Sequence, residues 1–275
     1  MIRYLALSVI LLYAEICQST VLPKLPELLN LTVIRPRITN NVYAGQGEFP
    51  AQISLQIDGW HTCGGSLIGK RHVLTAAHCV YDFVQLKKEL FRVKIVAGRT
   101  NLMQGGGQKL SVDRIAFHPE YRQVYSTFIA DIAVIRLKTP IKETDDVKVI
   151  GLPEPGAEFP IGTSLIVSGF GADTFGGPPS PYLKKMTMFA VDSGTCQQLW
   201  QGSLIHPGHL CAVFGPGYGV CQGDSGGSLT LDKKIIVGIV SAGRGRQCGA
   251  GYPDLFTKVS YFMDFIKSEL LLPHN

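Results

Sequence analysis

Apolar residues come in short bursts along most of this chain. Gln52 to Gln56, Gly65 to Ile68, Val93 to Ala97, Ile132 to Leu137, Ser164 to Ser168 and Lys234 to Val240 are rich in Val, Ile and Leu. Each is bounded by Gly, Pro or Asp, the pattern of short strands. One segment changes period: Val259, Phe262, Met263, Ile266 and Leu270 recur at three- and four-residue steps ahead of Pro273. That stripe predicts a helix with a packing face over about 259–271. No repeat of solenoid length is visible. The pattern predicts an all-β protein with a C-terminal α-helix.

The first residues follow a third pattern. Arg3 precedes the apolar run Leu5 to Leu12, and Cys17-Gln18-Ser19 supplies small residues around a cleavage point. This predicts a secretory signal peptide over 1–19 and a secreted, extracellular product. The run is too short to span a bilayer and Glu15 interrupts its end, so no membrane association is expected. Residues 20–37 carry Pro23, Pro26, Pro36 and a glycosylation sequon at Asn30, and they close on Arg37-Ile38. We read them as an activation propeptide with its processing site, followed by a domain over 38–275.

Composition agrees with strands and turns. The chain has 31 glycines and 16 prolines, with 45% hydrophobic and 17% charged residues, enough to bury a large core. The net charge of +5 is mild, and no basic stripe is interleaved with aromatics, so nucleic-acid binding is not expected. Of seven cysteines, Cys17 would leave with the signal peptide. Cys63, Cys79, Cys196, Cys211, Cys221 and Cys248 then form an even set, which in an oxidising compartment predicts three disulfides of open connectivity. Zinc is the rival reading, but no two of them show the close pairing of metal ligands.

The chemistry-bearing residues occur in distinctive frames. Cys221-Gln222-Gly223-Asp224-Ser225-Gly226-Gly227-Ser228 could display the Ser225 hydroxyl on a tight turn, with backbone amides aimed at one point. Leu74-Thr75-Ala76-Ala77-His78-Cys79 places a histidine after an apolar strand, and Asp131 heads Ile132-Ala133-Val134-Ile135. A serine needs an imidazole to take its proton and a carboxylate to orient that imidazole. Taken singly, a turn serine, a structural histidine and a capping aspartate explain these residues. Their joint occurrence in the order His, Asp, Ser points to acyl transfer.

Through LTAAHC, DIAVIRL, GFGA, CQGDSGGS, VSAG and PDLFTKV, the chain from Ile38 to the C-terminal helix resembles the chymotrypsin/trypsin-like serine proteases. The serine-collagenase (brachyurin-like) or chymotrypsin-like invertebrate branch is nearest. The resemblance implies two six-stranded antiparallel β-barrels, about 38–145 and 146–258, and the pairs Cys63–Cys79, Cys196–Cys211 and Cys221–Cys248. It implies His78, Asp131 and Ser225 as the catalytic residues, the N–H groups of Gly223 and Ser225 as the oxyanion site, and Ser241 as a support for the aspartate. Cleavage after Arg37 would free the Ile38 ammonium to pair with Asp224, so the uncut chain is expected to be a zymogen.

The resemblance also places the substrate pocket. Gly219 stands at its base where trypsins carry Asp, with Val220 in the wall and Gly243 at an open entrance. Asp254 falls where most members have glycine at the back of that pocket, which implies a chymotrypsin-like pocket broadened toward basic P1 residues. The alternative is an Asp254 that points away and satisfies backbone amides, leaving a plain chymotrypsin-like pocket. Ala242 replaces the usual Trp, Phe170 the Trp of Gly-Trp-Gly, Ser228 a Pro, and Ile38-Thr39-Asn40-Asn41 the usual Ile-Val-Gly-Gly. The stretch Arg99 to Gln108 lacks the acidic residues with which some relatives bind calcium, so neither metal nor cofactor is expected. Expected partners are protein or peptide substrates, an activating trypsin-like protease and protein inhibitors, with the chain itself a monomer. A limited-cleavage regulatory protease and a catalytically silent binding homologue are the alternative readings.

Overall fold

The computed structural model describes residues 42–244 and 247–273. The expected signal peptide, the propeptide with Asn30, and Arg37-Ile38 lie outside the described residues. The first half of the described chain forms nine strands: β1 (Val42–Tyr43), β2 (Gln52–Ile57), β3 (Trp60–Gly69), β4 (His72–Thr75), β5 (Val93–Ala97), β6 (Gln108–Phe117), β7 (Arg122–Val124), β8 (Thr127–Ile129) and β9 (Ala133–Leu137). Six of them close a barrel in the order β2-β3-β4-β9-β6-β5, and every pairing in it is antiparallel. Its interior is filled by Ile53, Leu55, Leu67, Val73, Ile95 and Ile135, all fully buried. Each such side chain contributes on the order of 2 kcal/mol.

The second half adds β10 (Ser164–Gly169), β11 (Lys184–Val191), β12 (His209–Val213), β13 (Ser228–Leu231), β14 (Ile235–Ala242) and β15 (Asp254–Lys258). The sheet runs β1-β11-β10-β13-β14-β15-β12, and a further β11–β12 pairing closes its last six strands into a second barrel. Leu165, Met188, Leu229, Val237 and Phe256 form its core. The two six-stranded antiparallel barrels are those the sequence implied. Polar side chains that look misplaced on β2 are explained by the seam between the barrels: Ser168 Oγ donates to Gln52 Oε1 across it at 3.0 Å.

The helical content is larger than the pattern predicts. Beside the C-terminal helix there are α1 (Tyr81–Gln85) and α2 (Ser193–Leu199), so the expectation of a single helix is corrected. With 5 and 7 residues, neither is long enough to display a period. Asp192 caps α2 by accepting from Thr195 N at 2.9 Å. The terminal stripe folds as a 3-10 turn over Val259–Phe262 running into α3 (Met263–Leu270). Its apolar residues pack on the core of the first barrel, although the chain enters it from the second.

Candidate active site

The site is built where loops from both barrels meet. β4 ends in a 3-10 turn, Ala77–Cys79, that carries His78, and the Cys63–Cys79 disulfide ties this turn to β3. Asp131 lies between β8 and β9 with no exposed surface. Its carboxylate accepts the His78 backbone N–H at 2.9 Å through Oδ1 and the ring Nδ1–H at 2.8 Å through Oδ2. The two bonds fix both the position and the tautomer of the imidazole.

Support comes from the second barrel. Ser241 Oγ donates to Asp131 Oδ2 at 2.6 Å, and Thr257 Oγ1 to Asp131 O at 2.8 Å. The β14–β15 register shifts between Val240 and Ala242, so Ser241 sits in a β-bulge that turns its hydroxyl out of the ladder. Burial by itself disfavours both charged forms. The attraction between His78 and Asp131, with their hydrogen bonds, outweighs burial, holding Asp131 below the usual carboxylate range and raising His78 above its ordinary value. The Phe128 ring stacks on the imidazole with centroids 5.1 Å apart and planes at 18°.

The loop after Cys221 meets this array. Ser225 O accepts from Gly64 N at 2.7 Å, which docks the loop beside the disulfide that carries the His78 turn. Gly223 has φ 95°, a left-handed conformation open to glycine. Its carbonyl accepts from His61 Nε2 at 2.9 Å, while Ser54 Oγ pairs with His61 Nδ1 at 2.8 Å. Burial lowers the His61 pKa, keeping the ring neutral for this double role. Among the described residues the N–H groups of Gly223 and Ser225 have no protein acceptor, nor has the Ser225 hydroxyl a partner. A pair of free amides beside a free hydroxyl can bind a developing oxyanion.

Asp224 points the other way, into the protein. Its carboxylate accepts Gly171 N at 2.7 Å and Cys221 N at 2.9 Å. Burial pushes its pKa up to about 6, against the pull of those bonds and of nearby Lys184. A Cβ on Gly169 or Gly171 would lie 2.1 Å from its oxygens, so both positions require glycine for space.

Gly219, Val220, Ser241, Ala242, Gly243 and Asp254 are brought together. Asp254, at the start of β15, has its carboxylate between the two glycines: a Cβ on Gly219 would be 3.0 Å from Oδ2, and one on Gly243 3.3 Å from Oδ1. Val220 N donates to Asp254 Oδ2 at 2.8 Å, and Trp200 Nε1 anchors the preceding residue through Pro253 O. The group is 5% exposed. Burial, with the Asp224 charge nearby, pushes its pKa up to about 8.

The cysteines pair as Cys63–Cys79, Cys196–Cys211 and Cys221–Cys248. Ligand atoms of Cys63, His78 and Cys79 lie within 4.8 Å of one another, but both sulfurs are bonded in the disulfide and are not available to a metal. In the Arg99–Gln108 loop, the Arg99 guanidinium donates to Gly106 O. Sequence reasoning missed His61, Phe128 and Thr257. Nothing local marks them, because each acts through a contact made far along the chain.

Two closed barrels, a paired imidazole and carboxylate, and a glycine-framed serine loop define a serine protease, and the chain belongs to the trypsin family: the model described as Trypsin matches residues 38–266. It is 33% identical over 236 residues to brachyurin of Leptuca pugilator, covering 84% of this chain and 98% of that protein. It is 32% identical over 259 residues to chymotrypsin-C of Bos taurus, covering 87% and 92%. Among solved structures, human heparin binding protein superposes with a TM-score of 0.72 at 26% identity, covering 84% of this chain and 96% of that one. The protein is a serine endopeptidase.

Proposed function

We propose that the chain is secreted as a zymogen, is activated by cleavage after Arg37, and cuts peptide bonds after large hydrophobic residues and also after Arg or Lys. Ser225 Oγ attacks the scissile carbonyl while His78 Nε2 takes its proton. The collapsing intermediate expels the amine, which takes that proton back from His78, and water repeats the sequence on the acyl-enzyme. Asp131 holds the imidazole and offsets its charge. The N–H groups of Gly223 and Ser225 stabilise the oxyanion, each supplying on the order of 3 kcal/mol at the transition state.

Activation follows from Asp224. A buried carboxylate between two loops of the oxyanion region calls for a cation. The Ile38 ammonium freed by cleavage supplies it, ordering Gly223. An activating trypsin-like protease, protein inhibitors, a monomeric state and a glycan on Asn30 complete this reading. It accords with three disulfides and with the absence, among the described residues, of any helix long and apolar enough to cross a membrane.

What supports the specificity is the Asp254 carboxylate lodged between Gly219 and Gly243, the two glycines this reading places at the pocket base and entrance. An arginine or lysine side chain reaching the base meets this charge, while Val220 and the Gly243 entrance admit an aromatic ring. The test is a P1-scanning peptide library on the activated enzyme and on Asp254→Gly. Cleavage after Arg and Lys is expected to fall at least tenfold relative to Phe and Leu in the variant. An unchanged Arg/Phe ratio would overturn the dual preference.

A further inference from the structure

The segment that ends in Asp131 is held from the other barrel at two carbonyls. His209 and Thr257 are register partners on β12 and β15. Thr257 Oγ1 donates to Asp131 O at 2.8 Å, and His209 Nε2 to Phe128 O at 2.7 Å. His209 is 3% exposed, and its Nδ1 accepts the His206 backbone N–H at 3.1 Å, which leaves Nε2 as the protonated nitrogen. Burial, with His206 nearby, keeps the ring neutral against the pull of the Phe128 carbonyl and Asp131.

Between the two held carbonyls lies Ala130, with φ 50°, a left-handed backbone that disfavours a residue with a Cβ by roughly 1–2 kcal/mol. Its carbonyl accepts from Ile132 N at 2.8 Å, closing a tight turn around Asp131. Such a conformation persists where the surroundings over-determine it. Phe128, whose carbonyl His209 holds, is also the residue whose ring lies on His78.

We infer that His209 is a positioning residue of the active site: its Nε2–H and the Thr257 hydroxyl together hold the 128–131 segment so that Ala130 stays left-handed, the Phe128 ring stays on His78, and the Asp131 carboxylate meets both His78 donors. His209 touches neither substrate nor reacting atoms. The inference rests on the reading of His78 and Asp131 as the catalytic pair. A histidine that merely filled space could be replaced by an apolar residue of similar size. One that holds the segment needs its donor.

The test compares the activated enzyme with His209→Leu, which fills the site without a donor, and His209→Gln, whose amide can place an N–H near the same point. The Leu variant is expected to lose about 10- to 100-fold in kcat with KM within about twofold, the scale expected when a catalytic group is displaced by a fraction of an ångström to an ångström. The acid limb of its kcat/KM profile is expected to move to lower pH, because Asp131 raises the His78 pKa and a misplaced Asp131 raises it less. The Gln variant is expected to recover most of both. Wild-type kcat and an unchanged acid limb in His209→Leu would overturn the inference, as would a Gln variant no better than Leu. Should the Leu variant not fold, Thr257→Val, which keeps the shape and removes the other donor, is expected to show the same kcat loss and acid-limb shift. Wild-type values there would overturn the two-point hold. His78→Ala is the control: if it is inactive while His209→Leu keeps wild-type kcat and acid limb, the positioning role alone falls, and if it retains full kcat, both readings fall.

Discussion

Asp254 fills the direction in which a side chain on Gly219 would grow, so on the proposed reading the pocket takes its acid from a strand instead of from the loop before Cys221. The consequence is electrostatic. With its pKa pushed up to about 8 by burial, the Asp254 carboxyl is protonated below that pH and charged above it. A guanidinium or ammonium binds the charged form better. The ratio of kcat/KM for matched Arg and Phe substrates is therefore expected to rise from pH 6 to pH 9, approaching tenfold per unit below about 8. The limb set by His78 is common to both substrates and cancels in the ratio. A flat ratio would contradict the placement of charge. The residues of this pocket were legible in the sequence only through their frames. Gly219 and Asp254 mean nothing apart, being far separated in the chain, and their meeting depends on how β15 enters the second barrel.

At the scale of elements, small irregularities do the positioning. The bulge at Ser241, the left-handed turns at Gly223 and Ala130, and the glycines that make room for Asp224 each aim a group that regular strand geometry would misdirect. Gly171→Ala tests one of them. A Cβ 2.1 Å from an Asp224 oxygen must displace the carboxylate. That shifts the loop bearing Gly223, so kcat is expected to fall about 10²- to 10³-fold, the cost of one oxyanion donor, in stopped assays on the activated enzyme. KM is expected to change little. The six apolar bursts all became strands or parts of strands because burial on one or both faces leaves a plain mark. Strands such as β6, with Lys109, Asp113 and Arg114 on its outer side, carry too many polar residues to stand out. The short helices were hidden by length, and the bulge by the fact that only the partner strand defines it.

At the scale of the molecule, activation is the first question. Arg37→Gln is expected to leave the chain uncut and inactive after trypsin treatment, while wild type gains activity together with a new N-terminal Ile38, read by N-terminal sequencing. Full activity of the treated variant would contradict the zymogen reading. The two ends of the described chain are also crossed over. β1 precedes the first barrel yet pairs with β11 of the second. Helix α3 follows the second barrel yet packs on the first, with Arg114 bound to Glu269 and Arg136 donating to Pro273 O at 2.8 Å. None of the three disulfides joins the barrels. A nick in the connection between β9 and β10 would thus yield two fragments, each still carrying a piece that belongs to the other's surface. A chain cut there is expected to remain one particle in size-exclusion chromatography, held by the exchanged ends together with the hydrogen bonds across the seam, until a denaturant separates the halves.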